Sequence, residues 1–302
     1  MKDKNIFDVI IIGGSYAGLS AAMSLGRARK KTLIIDNGQP CNKKTPYSHN
    51  FLSRDGVSPA VISGIALEQV LQYPTVSLVS GTAVKGEQTD NFFIIQTSNG
   101  QSFSAAKLIF ATGIRDLLPR IDGIEECWGI SVIHCPFCHG YEVKDEKTGL
   151  LANGERAYDM AKMITNWTDN LTVYTNGPAL LDSKQRITLK KRNVNIDERK
   201  IEKLTHVKGQ LQNIIFTNST MATLKALYVK VDFEQHCELP EQFGCELTDA
   251  GYLHIDETFQ TTVKGVYAVG DNTGSMRTVA HAAGMGNAVG LIISKDLIFE
   301  NF

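Results

Sequence analysis

Apolar and polar positions follow two rhythms along this chain. Short apolar runs without alternation mark strands buried on both faces. They fall at residues 7–12 (FDVIII), 31–35, 107–111 (KLIFA), 148–152, 171–174 and 265–270. Stretches with helical spacing lie at 19–29, 61–72, 153 to about 167, and 279–299. Strand, helix and strand therefore alternate twice, at 7–35 and again at 148–174, and each block predicts a βαβ unit. Between them, strands at 76–85, 92–97 and 102–104, with Asn99-Gly100 as a hairpin turn, predict an antiparallel meander inserted in a parallel domain. Strands at 201–216 and 226–231 finish the second block. Residues 37–58 carry Pro40 and Pro46 and read as a loop, with Cys41 and His49 as ordinary loop residues.

Composition adds limits. A chain of 302 residues is long enough for two domains, and its hydrophobic fraction of 43% is that of a soluble globular protein. A formal net charge of -1 gives no electrostatic case for nucleic acid or an anionic membrane. No apolar run approaches the length of a membrane span. Residues 1–5 are polar and lead straight into a strand, so no signal peptide is expected. The six cysteines, one CxxC among scattered singles, suit a reducing cytoplasm rather than a secreted disulfide framework. No low-complexity tract or short repeat is present.

The candidate chemistry sits in the turns. Gly13-Gly14-Ser15-Tyr16-Ala17-Gly18 follows the first strand, and Asp36 ends the second. Glycines let a backbone approach a pyrophosphate held at a helix N-terminus, and the acid can bind ribose hydroxyls. Ser15 replaces the middle glycine of the usual pattern. Gly270-Asp271 ends the last strand ahead of the long helix, where an acid can meet a ribityl chain. In the second βαβ block, Ala152, Gly154 and Ala157 stand at the glycine positions. Its second strand ends in Thr175-Asn176-Gly177, with no acid for a 2′-hydroxyl and no arginine for a 2′-phosphate. Lys190, Lys191 and Arg192 read as a solvated face. The nucleotide fold is predicted there without visible nicotinamide-binding chemistry.

Cys135-Pro136-Phe137-Cys138-His139 carries the reactive pair. Two cysteines at the start of a helix can cycle between dithiol and disulfide, and a nearby imidazolium favours the thiolate. A zinc half-site completed by Cys237 and Cys245, or a pair of buried thiols, stands beside that reading. A dinucleotide site built by the rest of the chain raises the redox alternative. His139 abuts the second sulfur and can act as acid or base near neutral pH, or merely cap the helix.

Taken together, IIGGSYAG, FATGIRDLLP, CPFCHGYE and GVYAVGDNTG followed by RTVAHAAGMGNA resemble the low-molecular-weight thioredoxin reductase family over nearly the whole chain. The resemblance implies an α/β fold of two Rossmann-like three-layer domains. One is an FAD domain, discontinuous in sequence (1–117 and 246–302), with an antiparallel β insertion. The other, 118–245, is a nucleotide-binding-like domain that carries the redox disulfide. It implies FAD contacts at Gly13, Gly14, Ser15, Ala17, Gly18, Asp36, Asn37, Val84, Ala111, Thr112, Gly113, Gly270, Asp271, Arg277, Thr278 and Val279. It also implies Cys135 and Cys138 as the redox pair, Cys138 facing the flavin and Cys135 exchanging with substrate, and His139 in the place of the family's acid-base aspartate. A homodimer and a thioredoxin-like protein or a small-molecule disulfide or dithiol as partner follow in the same way. The degraded second fingerprint sets NADPH apart from these expectations. In that and in CPFCHGYE the chain looks more like the gliotoxin and holomycin dithiol oxidases, which pass electrons from thiols through FAD to oxygen. Ferredoxin, a second flavin, or a redox-sensing role without turnover are further alternatives. Cys41, Cys127, Cys237 and Cys245 have no derived role, and burial is the default expectation for Cys127, Cys237 and Cys245.

Overall fold

The computed structural model describes residues 5–90, 92–300 and 302; the leader expectation for 1–5 falls almost wholly outside them. The chain packs into two compact units. The first holds Met1–Lys43, Asn50–Arg115 and Phe233–Phe302, and the second Lys44–His49 and Asp116–Asp232. Residues 233–245, placed in the second domain from sequence, pack in the first unit. Leu239 and Cys245 are buried in its core, a burial that polar neighbours conceal in the sequence.

In the first unit the apolar run forms the central strand, Ile6–Ile12. Thr32–Asp36 and then Val76–Ser80 lie parallel on one side of it, and Ser102–Phe110 on the other. Val9, Ile10 and Ile11 are fully buried, as a strand covered on both faces requires. The helices Tyr16–Arg27 and Val279–Phe299 cover one face, meeting Val9, Ile11 and Ile109 through Leu25, Val289 and Ile293. Ile10, Ile35 and Phe110 face the other way, onto Leu239 and Leu253.

Three expectations change here. The first helix starts at Tyr16, so the last glycine-loop residues are its first turn. The strand expected at 76–85 breaks at Gly81 into Val76–Ser80 and Ala83–Gln88, the first joining the parallel sheet and the second the meander. The two strands expected at 102–104 and 107–111 are one, Ser102–Phe110. One edge of this long strand pairs with Ile6–Ile12. Its other edge is shared, the first half taking Phe93–Thr97 antiparallel and the last three residues taking Val266–Ala268 parallel. The meander thus extends the parent sheet.

Among the described residues one helix, Val279–Phe299, is long and apolar enough to cross a bilayer, against the expectation of no such run. Here it is a core helix lying along Tyr16–Arg27. A Cβ on Gly286 would stand 2.1 Å from the Ala17 carbonyl oxygen, so only glycine permits this approach. Ser20 Oγ donates to the Ala283 carbonyl at 2.7 Å, and Asn287 Nδ2 to Ser24 Oγ at 2.9 Å.

The second unit has a five-stranded parallel sheet in the order Asn195–Asp197, Leu171–Tyr174, Thr148–Leu151, Ala226–Val229, Val132–Ile133. Gly154–Ile164 packs Ala157, Met160, Ala161 and Ile164 onto it. The stretch 201–216 is a hairpin, Ile201–Val207 with Gln210–Phe216, and belongs to a separate antiparallel sheet. Asp197 and Arg199 tie that hairpin to the parallel sheet. Arg199 Nε donates to Asp197 Oδ1 at 3.0 Å, and its guanidinium lies 3.8 Å over the Phe216 ring. These charge-assisted bonds hold the Asp197 carboxyl below its usual value despite the opposing effect of burial. The stabilisation is complete above the unfolded-state carboxylate value and fades as pH falls through the lower folded one. Asp197→Asn should therefore cost on the order of 1 kcal/mol in urea unfolding at pH 7. The gap to wild type should narrow at pH 3; a gap independent of pH would contradict this account.

Candidate active site

The first unit builds a cradle at the end of its central strand. Gly13 has φ +106°, and a Cβ there would sit 2.2 Å from the Ala111 carbonyl oxygen. Gly18 is tighter still, its Cβ position being 1.9 Å from the Gly13 carbonyl oxygen. The Gly14 amide donates to Asp36 Oδ1 at 2.9 Å, and the Gly38 amide to Asp36 Oδ2 at 3.0 Å. Asp36 is thereby fixed at the strand end, beside the amino end of Tyr16–Arg27, whose first amides have no acceptor within the helix. Ser15 precedes that helix in extended conformation and makes no side-chain cap.

A cavity of about 660 Å³ opens over this loop, within the size range of cofactor sites. Gly13, Gly14, Ser15, Asp36, Asn37, Val84, Ala111 and Thr112 line it. Ala17 and Gly18 stand behind the loop and let it close up, rather than forming the wall. Gly113 turns the chain with φ +65° after the strand. Gly270, also at positive φ, leaves a Cβ only 3.2 Å from Ala17 Cβ. Asp271 Oδ2 accepts from Arg277 Nε at 3.4 Å, and Thr278 Oγ1 caps the long helix by accepting from the His281 amide at 3.1 Å, with Val279 the first helical residue.

The wall also holds residues that sequence reasoning missed. Tyr16 OH donates to the Pro59 carbonyl and accepts from Asn42 Nδ2 at 3.2 Å, and burial pushes its phenol up. His236 Nδ1 lies 3.3 Å from the Thr112 carbonyl oxygen. Behind the wall, Asn272 is fully buried, donates to Phe110 O at 2.9 Å and to Thr112 Oγ1 at 3.3 Å, and keeps Oδ1 without a partner. A backbone cradle closed to any Cβ, an anchored strand-end acid and a cavity of this size fit an adenine dinucleotide such as FAD.

In the second unit, Val132–Ile133 delivers the chain to His134, and Trp128 stacks on that ring. Cys135 and Cys138 are joined as a disulfide with Cα atoms 5.3 Å apart. The helix that follows, Pro136–His139, is a single turn, too short to present a macrodipole to the sulfurs. The local donor is instead the Cys138 amide, 3.2 Å from Cys135 Sγ. Gly140 is required because its Cβ would meet Pro136 O at 2.5 Å and the Trp167 ring at 2.8 Å. Trp167 also takes Phe137 edge-on at 5.4 Å.

Glu142 lies three residues past His139, and its Oε1 is 3.4 Å from His49 Nε2. Burial holds the His139 imidazole below its ordinary value; Glu142 draws it back up and His49 pushes it down. Tyr228 is 1% exposed, its hydroxyl unpartnered; burial, then Glu142, push that phenol far up. The sequence around His49 reads as an ordinary loop, yet His49 pairs with Glu142.

The second glycine-poor turn is closed by its own side chains. Asn153 Oδ1 accepts from the Gly154 and Leu180 amides, both at 2.8 Å, and Nδ2 donates to Pro178 O at 3.0 Å. Leu180 Cβ lies 3.8 Å from a Cβ built on Gly154. Residues 175–181 therefore sit over the amino end of Gly154–Ile164. Lys190, Lys191 and Arg192 are exposed.

Of the remaining cysteines, Cys41 is exposed, Cys127 and Cys245 are buried and Cys237 is half-buried. Cys245 Sγ donates to Thr261 Oγ1 at 3.3 Å, and burial pushes the thiols of Cys127, Cys237 and Cys245 up. The zinc alternative draws on Cys237 and Cys245. They lie in the first unit, whereas Cys135 and Cys138 are bonded to each other in the second.

A family model described as pyridine nucleotide-disulphide oxidoreductase matches residues 7–286. The thioredoxin reductase tcpT of Claviceps purpurea is 30% identical over 311 aligned residues, covering 99% of this chain and 97% of that one. Among crystal structures, the oxidoreductase from Agrobacterium tumefaciens is 35% identical with a TM-score of 0.90, covering 97% of this chain and 99% of that one. HlmI is 30% identical with a TM-score of 0.92, covering 100% and 95%.

Proposed function

The chain belongs to the pyridine nucleotide-disulphide oxidoreductase family and is a flavin-dependent disulfide oxidoreductase, and on that footing we propose that Cys135 and Cys138 are its redox pair and His139 its proton carrier. The observation that carries this reading is the bonded Cys135–Cys138 pair, with the Cys138 amide on Cys135 Sγ and an imidazole next in sequence. Gly13, Gly14, Ser15, Asp36 and the residues of the 660 Å³ cavity hold FAD in this reading. Bound there, FAD supplies paired-electron chemistry.

The protein's own part is thiol–disulfide exchange. In the dithiol state the Cys135 thiolate attacks a substrate disulfide, forming a mixed disulfide and releasing one substrate thiolate, which takes a proton from His139. Cys138 then attacks the Cys135 sulfur, releases the second substrate thiol and restores the Cys135–Cys138 bond. Two electrons and two protons pass from the pair to the substrate. Run backwards, the same steps oxidise a dithiol. A thioredoxin-like protein or a small-molecule disulfide or dithiol suits this chemistry, in a reducing cytoplasm and with the chain as a homodimer.

A second reading concerns the other end of the electron path. Asn153 and Leu180 occupy the amino end of Gly154–Ile164, where a nicotinamide dinucleotide would place its pyrophosphate. No acid or arginine ends the following strand. These residues do not fit NADPH or NADH, which favours a dithiol oxidase using oxygen, or a reductase with another donor. Anaerobic addition of NADPH and then NADH, followed at about 450 nm in the oxidised-flavin band, separates the readings. No bleaching by either nucleotide is expected, with bleaching by a dithiol and recovery in air. Fast bleaching at micromolar NADPH would restore the nucleotide-driven reductase.

A further inference from the structure

The cysteine pair sits on a turn with little to hold it. Pro136–His139 is a single helical turn. Its backbone bonds run from the Cys138 and His139 amides to the Cys135 carbonyl, each at 3.2 Å, and from the Gly140 amide to the Pro136 carbonyl at 2.7 Å. One turn fixes several residues in exchange for few bonds, so it persists only where something else supports it. While Cys135 and Cys138 are joined, the covalent link is that support. Once the bond opens, the turn depends on what it packs against.

Trp167 meets this turn at two points. Phe137, between the two cysteines, stands edge-on to its ring with centroids 5.4 Å apart. A Cβ on Gly140 would lie 2.8 Å from Trp167 Cδ2 and 2.9 Å from Cγ, so the backbone there rests directly on the indole. Gly140 is buried and Trp167 half-buried. The indole comes from the turn after Gly154–Ile164, and its backbone is held independently of the ring. The Asp145 amide donates to the Trp167 carbonyl at 2.8 Å, and Thr168 Oγ1 donates to the Glu146 carbonyl at 2.7 Å. A change of side chain at 167 therefore leaves the segment fastened in place.

We propose that Trp167 is a positioning residue for the cysteine pair, holding the opened turn near its closed geometry so that Cys138 stays within reach of the Cys135 sulfur. The inference rests on the reading of Cys135 and Cys138 as the redox pair. The disulfide form always has the indole contact, whereas the dithiol form can leave it. The contact therefore favours ring closure, in the way that preorganisation raises the effective concentration of one group at another. It acts on the second step of exchange, in which Cys138 resolves a mixed disulfide, and not on the first attack by Cys135.

Glutathione disulfide serves as the probe, and its exchange balances as follows. The Cys135 thiolate attacks one sulfur, the glutathione S–S bond breaks, a Cys135–glutathione bond forms and one glutathione leaves. The Cys138 thiolate then attacks the Cys135 sulfur, the mixed bond breaks, the Cys135–Cys138 bond forms and the second glutathione leaves. Two electrons pass from the pair to the probe, and the two thiol protons end on the two glutathiones. Trp167 exchanges nothing in either step.

The test uses the full flavin-loaded protein, kept free of oxygen and equilibrated with mixtures of reduced and oxidised glutathione. Samples are quenched in acid and alkylated, and mass spectrometry counts free thiols, the Cys135–Cys138 bond and the glutathione adduct on Cys135. Trp167→Leu should lower the equilibrium constant for closing the disulfide by about tenfold, the size of one aromatic pair contact and about 30 mV in the potential of the pair. The Cys135 adduct should accumulate at the same time. Trp167→Phe keeps a ring beneath Phe137 and Gly140 and should return the constant to within about twofold of wild type. Phe137 is 65% exposed, so Phe137→Leu leaves the core untouched. It should lower the constant as well, and the double variant should fall no further than Trp167→Leu alone. A merely structural role for Trp167 would lower stability in urea without moving the glutathione equilibrium. An unchanged constant in Trp167→Leu, or Trp167→Phe as impaired as Trp167→Leu, overturns the proposal and leaves the redox-pair reading standing. A wild-type Cys135–Cys138 bond that does not exchange with glutathione at all overturns both.

Discussion

Cys138→Ser is expected to lose turnover by about a thousandfold or more with any dithiol or disulfide, because a hydroxyl can neither close the disulfide nor leave as a stable anion. The substitution removes one sulfur from a pair already bonded across a single helical turn. Cys135 would still form a mixed disulfide with substrate, and the reaction would stop there for want of a second sulfur to resolve it. Mass spectrometry of Cys138→Ser after exposure to a disulfide should show the trapped adduct on Cys135. Cys127 and Cys245 should stay unmodified, since both are buried and burial disfavours their thiolates. The protein should remain yellow, because none of the cavity-lining residues of the first unit is touched. Retention of full turnover in Cys138→Ser would end the redox-pair reading outright.

The second large effect is expected at Gly18. An added methyl would lie 1.9 Å from the Gly13 carbonyl oxygen, and the neighbour is backbone that cannot swing aside. Relief requires the first helix and the glycine turn to move apart. That would destroy both the cradle and the helix seating beside it. Gly18→Ala should purify colourless, or nearly so, and lose about 3 kcal/mol or more in denaturant unfolding, the upper range for overpacking. Gly64→Ala is the matched control. That glycine lines the same cavity, on the helix Pro59–Leu71, but a Cβ there meets nothing within 4 Å. It should keep its flavin and gain slightly from helix propensity. Bound flavin at the wild-type ratio in Gly18→Ala would show that close approach at this turn is not what holds the cofactor.

Much of this was legible in the chain. The unalternating run at 7–12 could hardly be anything but a strand buried on both faces, and a glycine turn leading to an acid after one βαβ unit is readable locally. The CxxC segment likewise carries its chemistry in adjacent residues. What escaped were relations across long sequence separation. His49 and Glu142 are 93 residues apart, and nothing in the loop around His49 marks it as a partner of a glutamate. Asn153 falls at an unconstrained position of a weak fingerprint, yet its amide groups bind four backbone sites and close the turn. Residues 233–245 are too polar to announce a core contribution, and Cys237, Leu239, Phe243 and Cys245 commit them to it. The long strand Ser102–Phe110 reads as two because Ala105 and Ala106, weak strand formers, separate its polar start from the apolar run that begins at Lys107. That lysine reaches Glu300, with the Nζ and Oε1 atoms 2.6 Å apart.

The shared edge of that long strand has a consequence for how the chain is made. Its last three residues wait for Val266–Ala268, and the first helix waits for Val279–Phe299 to lie along it. On the ribosome, everything belonging to the second unit has been synthesised once Asp232 has emerged, and that unit can reach its final packing while the polypeptide is still growing. The first unit has by then a sheet with one half-edge bare and the apolar face of Tyr16–Arg27 uncovered. It must persist in that state until the last 70 residues or so arrive to complete the long-range pairings. A nascent chain released short of Val266 would therefore present a folded inner module carried on an outer one with an open strand edge, the kind of surface that chaperones recognise and that self-associates when they do not.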